Sequence, residues 1–190
     1  MKNLVPKVCA LAICLSMLLP ASQGEAQQPK LDIKALAGFS LNIYDTLGDP
    51  PTNEKFAGWL GGFGARISKR KAFVEALFTF NRFISNSIIL NSFQLPISLG
   101  YIPFKIAEFG VYLYGGYVNH FNVALKRGKE RVRIKYSDFV VYQALVRFGV
   151  SFDLYMFNFD FNYSIGLNDA LKTPYRTRYQ LLQFTVAYVF

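Results

Sequence analysis

Beyond residue 28 the chain has neither a cysteine nor a long apolar run. Its two cysteines are Cys9 and Cys14, so a disulfide framework and a cysteine metal site are both excluded from the remainder. No stretch of 18 apolar residues occurs there, which excludes a membrane-spanning helix. Histidine occurs once, at His120, and no phosphate-binding loop, dinucleotide fingerprint or metal-ligand cluster is present. We therefore expect no cofactor and no bound metal.

The amino-terminal segment has the layout of a secretory signal peptide. Two lysines precede an apolar run over residues 8–19, and small residues follow. The run is shorter than the roughly 20 apolar residues of a spanning helix. Gly24 and Ala26 occupy the small-residue positions of a cleavage site. We therefore predict a signal peptide over residues 1–26 and a single domain over residues 27–190.

In the remaining sequence, apolar residues alternate with less apolar ones. Hydrophobic residues make up 52% of the chain and aromatic residues 17%, at a formal charge of +9. Apolar residues recur at every second position in segments of about 9 to 14 residues, which is the period of a β-strand and the length of a tilted membrane strand. The segments cover approximately residues 31–44, 56–68, 73–81, 93–101, 108–117, 139–152, 157–167 and 176–190.

Short and long connections alternate between these eight segments. The short ones contain the sequences SKRK, IPFKIA and DLYM, and the longer ones include DTLGDPPTNEK, ISNSI, NVALKRGKERVRIKYS and NDALKTPYR. Tight periplasmic turns and longer outer loops are typical of outer-membrane barrels. The sequence therefore predicts an all-β fold, a transmembrane antiparallel up-and-down β-barrel of about eight strands. A barrel of that size has an interior filled by its own side chains. Both termini would then be periplasmic.

Turn positions set the expected strand register. A two-residue turn at Lys69 and Arg70 would place Arg66 opposite Phe73 and Gly64 opposite Glu75. These pairs lie on the less apolar face of both strands, whereas a slip of one residue would move them to the other face.

Two further local features are expected from the register. A loop at residues 153–154 would place Arg147 opposite Asp160, and a loop shifted by one residue would make the two diagonal neighbours. Pro96 cannot donate a hydrogen bond to the strand ladder, so a bulge is expected there.

The apolar faces are expected to point outward to lipid. A soluble, lipocalin-like barrel would turn them inward, but the opposite faces carry glycines and charges of both signs, which suit a narrow interior. A charge facing the bilayer midplane costs about 2–4 kcal/mol. Trp59, Tyr101 and Tyr188 lie near segment ends on the apolar side, as in an interfacial aromatic girdle. The predicted interior charge network consists of Lys34, Arg66, Glu75, Arg147 and Asp160.

The segments together resemble the PorT-like outer-membrane β-barrel proteins of Gram-negative bacteria. The resemblance is carried by the order and spacing of KALAGFSLN, FVEALFTF with Glu75, FQLPISLGY with Pro96, FGVYLYGGY, and FNYSIGLND. It implies a bacterial outer-membrane location and recognition by the barrel-assembly machinery through the terminal aromatics Tyr188 and Phe190. The family's namesake is tied to a protein secretion system, so secretion or envelope proteins are candidate partners.

A structural, assembly or interaction role is the favoured function. A basic loop could bind the phosphates of lipopolysaccharide, because guanidinium groups pair well with phosphate. Its residues are Lys126, Arg127, Lys129, Arg131, Arg133 and Lys135. Outer-membrane lipids are further expected contacts. Nucleic acid is not an expected partner, because the leader directs the chain out of the cytoplasm.

Three alternatives remain open: a secretion-associated barrel, a narrow channel, and a lipid A-modifying enzyme. For the enzyme, His120 is the candidate base. The sequence His-Phe-Asn at residues 120–122 lacks the serine of the His-x-Ser motif found in lipid A deacylases. A rim residue near the lipid head groups is therefore the favoured interpretation of His120, and we expect no catalytic activity.

Overall fold

Eight antiparallel strands form a closed barrel. The computed structural model describes residues 28–46, 52–85, 88–127, 140–170 and 177–190. The strands are β1 (Lys30–Thr46), β2 (Thr52–Lys69), β3 (Ala72–Ser85), β4 (Ile88–Ile106), β5 (Phe109–Arg127), β6 (Tyr142–Leu154), β7 (Phe157–Gly166) and β8 (Thr177–Val189). Each strand pairs with the next, and β8 closes the barrel on β1. This confirms the predicted fold. The predicted signal peptide lies outside the described residues.

The two faces of each strand differ as predicted. Along β1, the side chains of Asp32, Lys34 and Asn42 are buried inside the barrel, whereas those of Ile33 and Phe39 are exposed on the outer surface. The same alternation holds along the other strands. An apolar exterior around an interior that holds the polar and charged side chains is the arrangement of a barrel that crosses a membrane. No helix in the described segments is long and apolar enough to span a membrane.

The first tight turn lies one residue later in the chain than predicted, and the last lies two residues later. The first turn is formed by residues 70–71, so Arg66 lies directly opposite Glu75. The last is formed by residues 155–156, so Asp160 lies opposite Ser151 and not opposite Arg147. Both predicted registers are therefore wrong. Because each error moves the partner by an even number of residues, every side chain keeps its predicted face.

Two other local predictions are also wrong. The β3–β4 pairing has the same register on both sides of Pro96, so no bulge forms there. Two ladder positions, Pro96 and Leu95, are simply left unpaired with β3. The β4–β5 register shifts elsewhere, between Asn91 and Ser92 and again after Tyr101. In addition, only two residues separate β3 from β4, although a longer connection was expected.

The carboxy-terminal strand completes the wall. Strand β8 pairs with β7 on one side and with β1 on the other, and the Phe190 amide donates a hydrogen bond to the Ile33 carbonyl at 2.9 Å. Tyr188 and Phe190 both project outward, with their ring centroids 4.9 Å apart. Val189 between them belongs to the inward parity. The terminal aromatics are thus accessible from outside the barrel.

We expect Phe190→Asp to reduce the assembled fraction of the protein several-fold more than Val189→Asp. Phe190 packs with Tyr188 on the outer surface, whereas Val189 does not. A charge at residue 190 would therefore replace an exposed aromatic ring. Heat-modifiable migration of membrane-extracted protein on gels measures the folded fraction. Equal losses in the two variants would contradict an assembly signal that depends on side-chain parity.

Candidate functional site

A charged cluster fills the interior of the barrel in the half that carries the tight turns. The Glu75 carboxylate on β3 accepts hydrogen bonds from the Lys34 ammonium at 2.5 Å and from Arg66 Nε at 3.1 Å. All three side chains are at least nine-tenths buried. The guanidinium of Arg66 also lies over the Tyr112 ring, 4.1 Å from its centroid. Burial of two cations around one carboxylate requires further negative charge nearby.

Asp153 on β6 supplies that charge. Arg66 Nη1 lies 3.1 Å from Asp153 Oδ2, and the Asn158 amide donates to Asp153 Oδ1 at 2.6 Å. Asn158 Oδ1 in turn accepts from Lys34 Nζ at 3.0 Å. The cluster therefore holds two cations and two carboxylates. Asp153 was not predicted to be in the interior because the sequence placed it in a loop; the correct turn position would have placed it on the inward face.

Arg147 and Asp160 form a second, separate ion pair. Arg147 Nη2 lies 3.1 Å from Asp160 Oδ1, although the two residues are not register partners. The Tyr114 hydroxyl joins them: it accepts from Arg147 Nη2 at 3.0 Å and donates to Asp160 Oδ2 at 2.6 Å. Asn162 donates to the same carboxylate at 2.8 Å. The five predicted interior charges thus divide into two groups, and Tyr114 is a participant that the sequence analysis missed.

His120 lies inside the barrel, not at the rim near lipid head groups as predicted. Its side chain is fully buried. The Gln94 amide nitrogen is 2.9 Å from His120 Nδ1, and Asn122 Oδ1 is 3.0 Å from His120 Nε2. Gln183 extends this uncharged cluster by donating to Gln94 Oε1 at 3.2 Å.

The hydrogen-bond partners of His120 in the described residues are amide groups. A hydrolytic base needs a nucleophile within hydrogen-bonding distance. Within the described residues, both imidazole nitrogens are occupied by amides, and neither contacts a hydroxyl.

An apolar cluster closes the interior at the end opposite the tight turns. Its members come from the ends of most strands and are 0–3% exposed: Tyr44, Phe56, Phe83, Leu90, Val118, Leu145, Ala170, Tyr179 and Leu181. A second cluster, Leu36, Leu60, Leu77 and Ala187, lies farther along the interior. Side chains therefore fill the barrel along its length. An aqueous passage would require these apolar groups to move apart.

The outer wall ends in aromatic and basic residues. Tyr101 and Tyr188 project outward near the tight turns, and Trp59 projects outward near the opposite end. Arg82 and Arg178 also face outward at that opposite end. Among the described residues, no other charged side chain faces outward in the central part of the wall, as expected for a surface that contacts hydrocarbon.

The predicted basic loop is mostly beyond what the structure describes. Lys126 and Arg127 are the last two residues of β5, whose backbone runs to this point. Lys129, Arg131, Arg133 and Lys135 lie outside the described residues. No group of three or more potential metal-ligating side chains occurs within the described segments. Phosphate binding by the loop remains a prediction.

Comparisons with known proteins address the fold. No protein-family model and no curated protein sequence matches this chain, so the PorT-like resemblance remains a prediction. Among solved structures, Neisserial surface protein A (NspA) is similar over 86% of this chain and 100% of its own, with a TM-score of 0.54 and 14% identity.

Two further solved structures are similar with lower TM-scores. The attachment invasion locus protein Ail of Yersinia pestis is similar over 84% of this chain and 98% of its own, at 13% identity and a TM-score of 0.45. The outer membrane enzyme PagL is similar over 83% of this chain and 98% of its own, at 11% identity and a TM-score of 0.46. At these identities the comparisons concern architecture alone. The chain has the eight-stranded, closed antiparallel architecture of small outer-membrane barrel proteins.

Proposed function

We propose that this protein is an integral outer-membrane barrel with a structural, assembly or interaction role. The observation that carries the proposal is a filled interior inside an apolar wall. Two ion-paired groups occupy the half with the tight turns, and an apolar cluster closes the other half. A filled eight-stranded barrel exposes its loops, its rims and its lipid-facing wall for interaction. These surfaces, and not a lumen, are where the function is expected.

The proposed orientation places both termini in the periplasm. Tight turns join the strands at one end, and three of the four connections at the other end are longer, as is usual for an outer-membrane barrel. The basic loop after β5 would then face outward, where its lysines and arginines can bind lipopolysaccharide phosphates. The terminal aromatics would be presented to the barrel-assembly machinery from the periplasm. Other envelope proteins, including secretion components, are possible partners of the rims.

We expect the protein to fractionate with the outer membrane, to show heat-modifiable migration, and to conduct no ions in planar bilayers. The apolar wall requires lipid, and apolar side chains of the described strands occupy the interior where an ion would have to pass. Fractionation and single-channel recording test the two parts separately. Recovery as a soluble periplasmic protein would contradict the membrane location, and stepwise single-channel currents would contradict the filled-barrel role.

A further inference from the structure

Arg82 is a cation on the lipid-facing side of the barrel. It lies on β3, three residues before the strand ends at Ser85, and shares the outward parity of Phe78 and Phe80. Under the proposed orientation, this position is at the level of the outer head groups. A cation placed there is inexpensive only if it reaches an anion or water.

No protein group pairs with Arg82 in the described residues. Its Nε atom is buried without a hydrogen-bond partner, and the guanidinium takes part in no ion pair with the described residues. Asn91 lies directly opposite on β4, and its Oδ1 atom is likewise buried without a partner. An unsatisfied donor and an unsatisfied acceptor therefore lie side by side. Such groups cost free energy unless a ligand or solvent satisfies them.

An aromatic wall adjoins this polar pair on the side towards the bilayer centre. Trp59 lies opposite Arg82 on β2, with its ring centroid 5.8 Å from that of Phe80. Phe80 and Phe93 are 5.3 Å apart, and Phe93 and Phe78 are 5.4 Å apart. The rings form one contiguous outward surface across β2, β3 and β4. Such a surface suits acyl chains that descend from a head group beside Arg82.

We propose that Arg82, Asn91 and the adjacent aromatic wall form a binding site for lipid A, the phosphorylated amino-sugar lipid of the outer leaflet. A lipid phosphate accepts hydrogen bonds from the guanidinium of Arg82. Asn91 lies beside the bound head group as the register neighbour of Arg82, and the acyl chains lie on Trp59 and the phenylalanines. This inference rests on the proposed outer-membrane orientation, but it does not require the basic loop.

Arg178 provides a matched control. It too faces outward near the end of its strand, and it is more exposed than Arg82. The residue opposite Arg178 on β1 is the acidic Asp45, whereas the residues opposite Arg82 are Trp59 and Asn91. A general attraction of anionic lipid to surface cations would depend on both arginines. A lipid A site of the proposed kind depends on Arg82 alone.

The test uses the emission of Trp59, which is the single tryptophan of the chain. Protein extracted from membranes and freed of lipopolysaccharide is titrated in detergent micelles with bisphosphorylated lipid A, dephosphorylated lipid A or phosphatidylglycerol. We expect saturable binding of bisphosphorylated lipid A. Arg82→Gln should raise its Kd about tenfold or more, as for loss of a hydrogen bond to a charged group. Arg178→Gln should change this Kd by less than about twofold, because an exposed ion pair contributes little free energy.

Three outcomes would overturn the inference: equal effects of the two arginine variants, equal binding of dephosphorylated lipid A, or equal binding of phosphatidylglycerol. Should Arg82→Gln fail to assemble, Asn91→Asp provides a second variant. Its carboxylate would pair with Arg82 internally and should also weaken lipid A binding, whereas unchanged binding would count against the site.

A variant with the six basic loop residues changed to glutamine separates this inference from the loop proposal. Retained binding in that variant with loss in Arg82→Gln would support the site on the wall and contradict the loop. Loss of lipid A binding in the loop variant, with unchanged binding in Arg82→Gln, would support the loop and contradict the site on the wall.

Discussion

Replacing Glu75 with alanine is expected to lower the free energy of unfolding of the barrel by about 3–5 kcal/mol, the cost of breaking a buried ion pair by removing one partner. Glu75 accepts from both Lys34 and Arg66, and all three are buried. Without the carboxylate, the uncharged Asn158 oxygen is the one hydrogen-bond partner left to Lys34 among the described residues. Arg66 keeps Asp153, so the loss falls mainly on the lysine. Denaturant unfolding in micelles, followed by Trp59 fluorescence, measures the change.

Two controls make the Glu75 experiment specific. Glu108→Ala removes the same side chain from an exposed tight turn, and should change stability by about 0.5 kcal/mol or less. Combining Glu75→Leu with Lys34→Met removes the carboxylate and the stranded ammonium together. This variant should recover much of the loss, because an apolar pair can replace a buried ion pair at little cost. A Glu75→Ala loss no larger than that of Glu108→Ala would show that the cluster contributes little to stability.

Strand identity and facing were predictable from the sequence because each strand of a membrane barrel is in contact with two different environments. Phe157, Phe159 and Phe161 face outward, and Asn158 and Asp160 face inward. Apolar and polar residues therefore alternate in the sequence of the strand. Closure was predictable as well, since an unpaired strand edge in lipid would leave backbone groups unsatisfied.

Register was not predictable because the tight turns lack the residues that usually mark them. Two-residue hairpins favour Asn-Gly or Asp-Gly, since positive φ is required. Here the first turn residues are Arg70, Ala107 and Tyr155, with φ of 57°, 47° and 54°. None of these residue types signals a left-handed conformation. Residue types alone therefore could not fix the position of each turn, and the predicted positions were one or two residues too early.

The partners of the interior charges depended on the barrel as a whole. Lys34 on β1 and Asn158 on β7 are brought together across the lumen by closure, and no local pattern relates them. Alternation correctly placed Arg147 and Asp160 on the inward face. They are not register partners, and they meet because the arginine side chain is long enough to span the offset. Face assignment thus follows from the sequence, whereas contact follows only from the three-dimensional stagger of the strands.

The ion pair between Arg147 and Asp160 can be tested directly, although the two residues are not register partners. We expect Arg147→Ala and Asp160→Ala each to cost about 3–5 kcal/mol, because each leaves a buried partner charge without compensation. The double variant should lose less than the sum, by about 0.5–3 kcal/mol, which is the usual range for contacting residues. Tyr114→Phe should cost about 1–3 kcal/mol, since its hydroxyl bonds to both charges.

The residue that does face Asp160 in the register is the matched control. Ser151 lies directly opposite on β6, and its hydroxyl is buried without a partner in the described part of the chain. Ser151→Ala should therefore be neutral or slightly stabilising, because it removes an unsatisfied polar group. If the losses of Arg147→Ala and Asp160→Ala were instead additive, and Ser151→Ala were costly, then Asp160 would interact with its register neighbour. The offset ion pair, and with it the arrangement of the second charged group, would be incorrect.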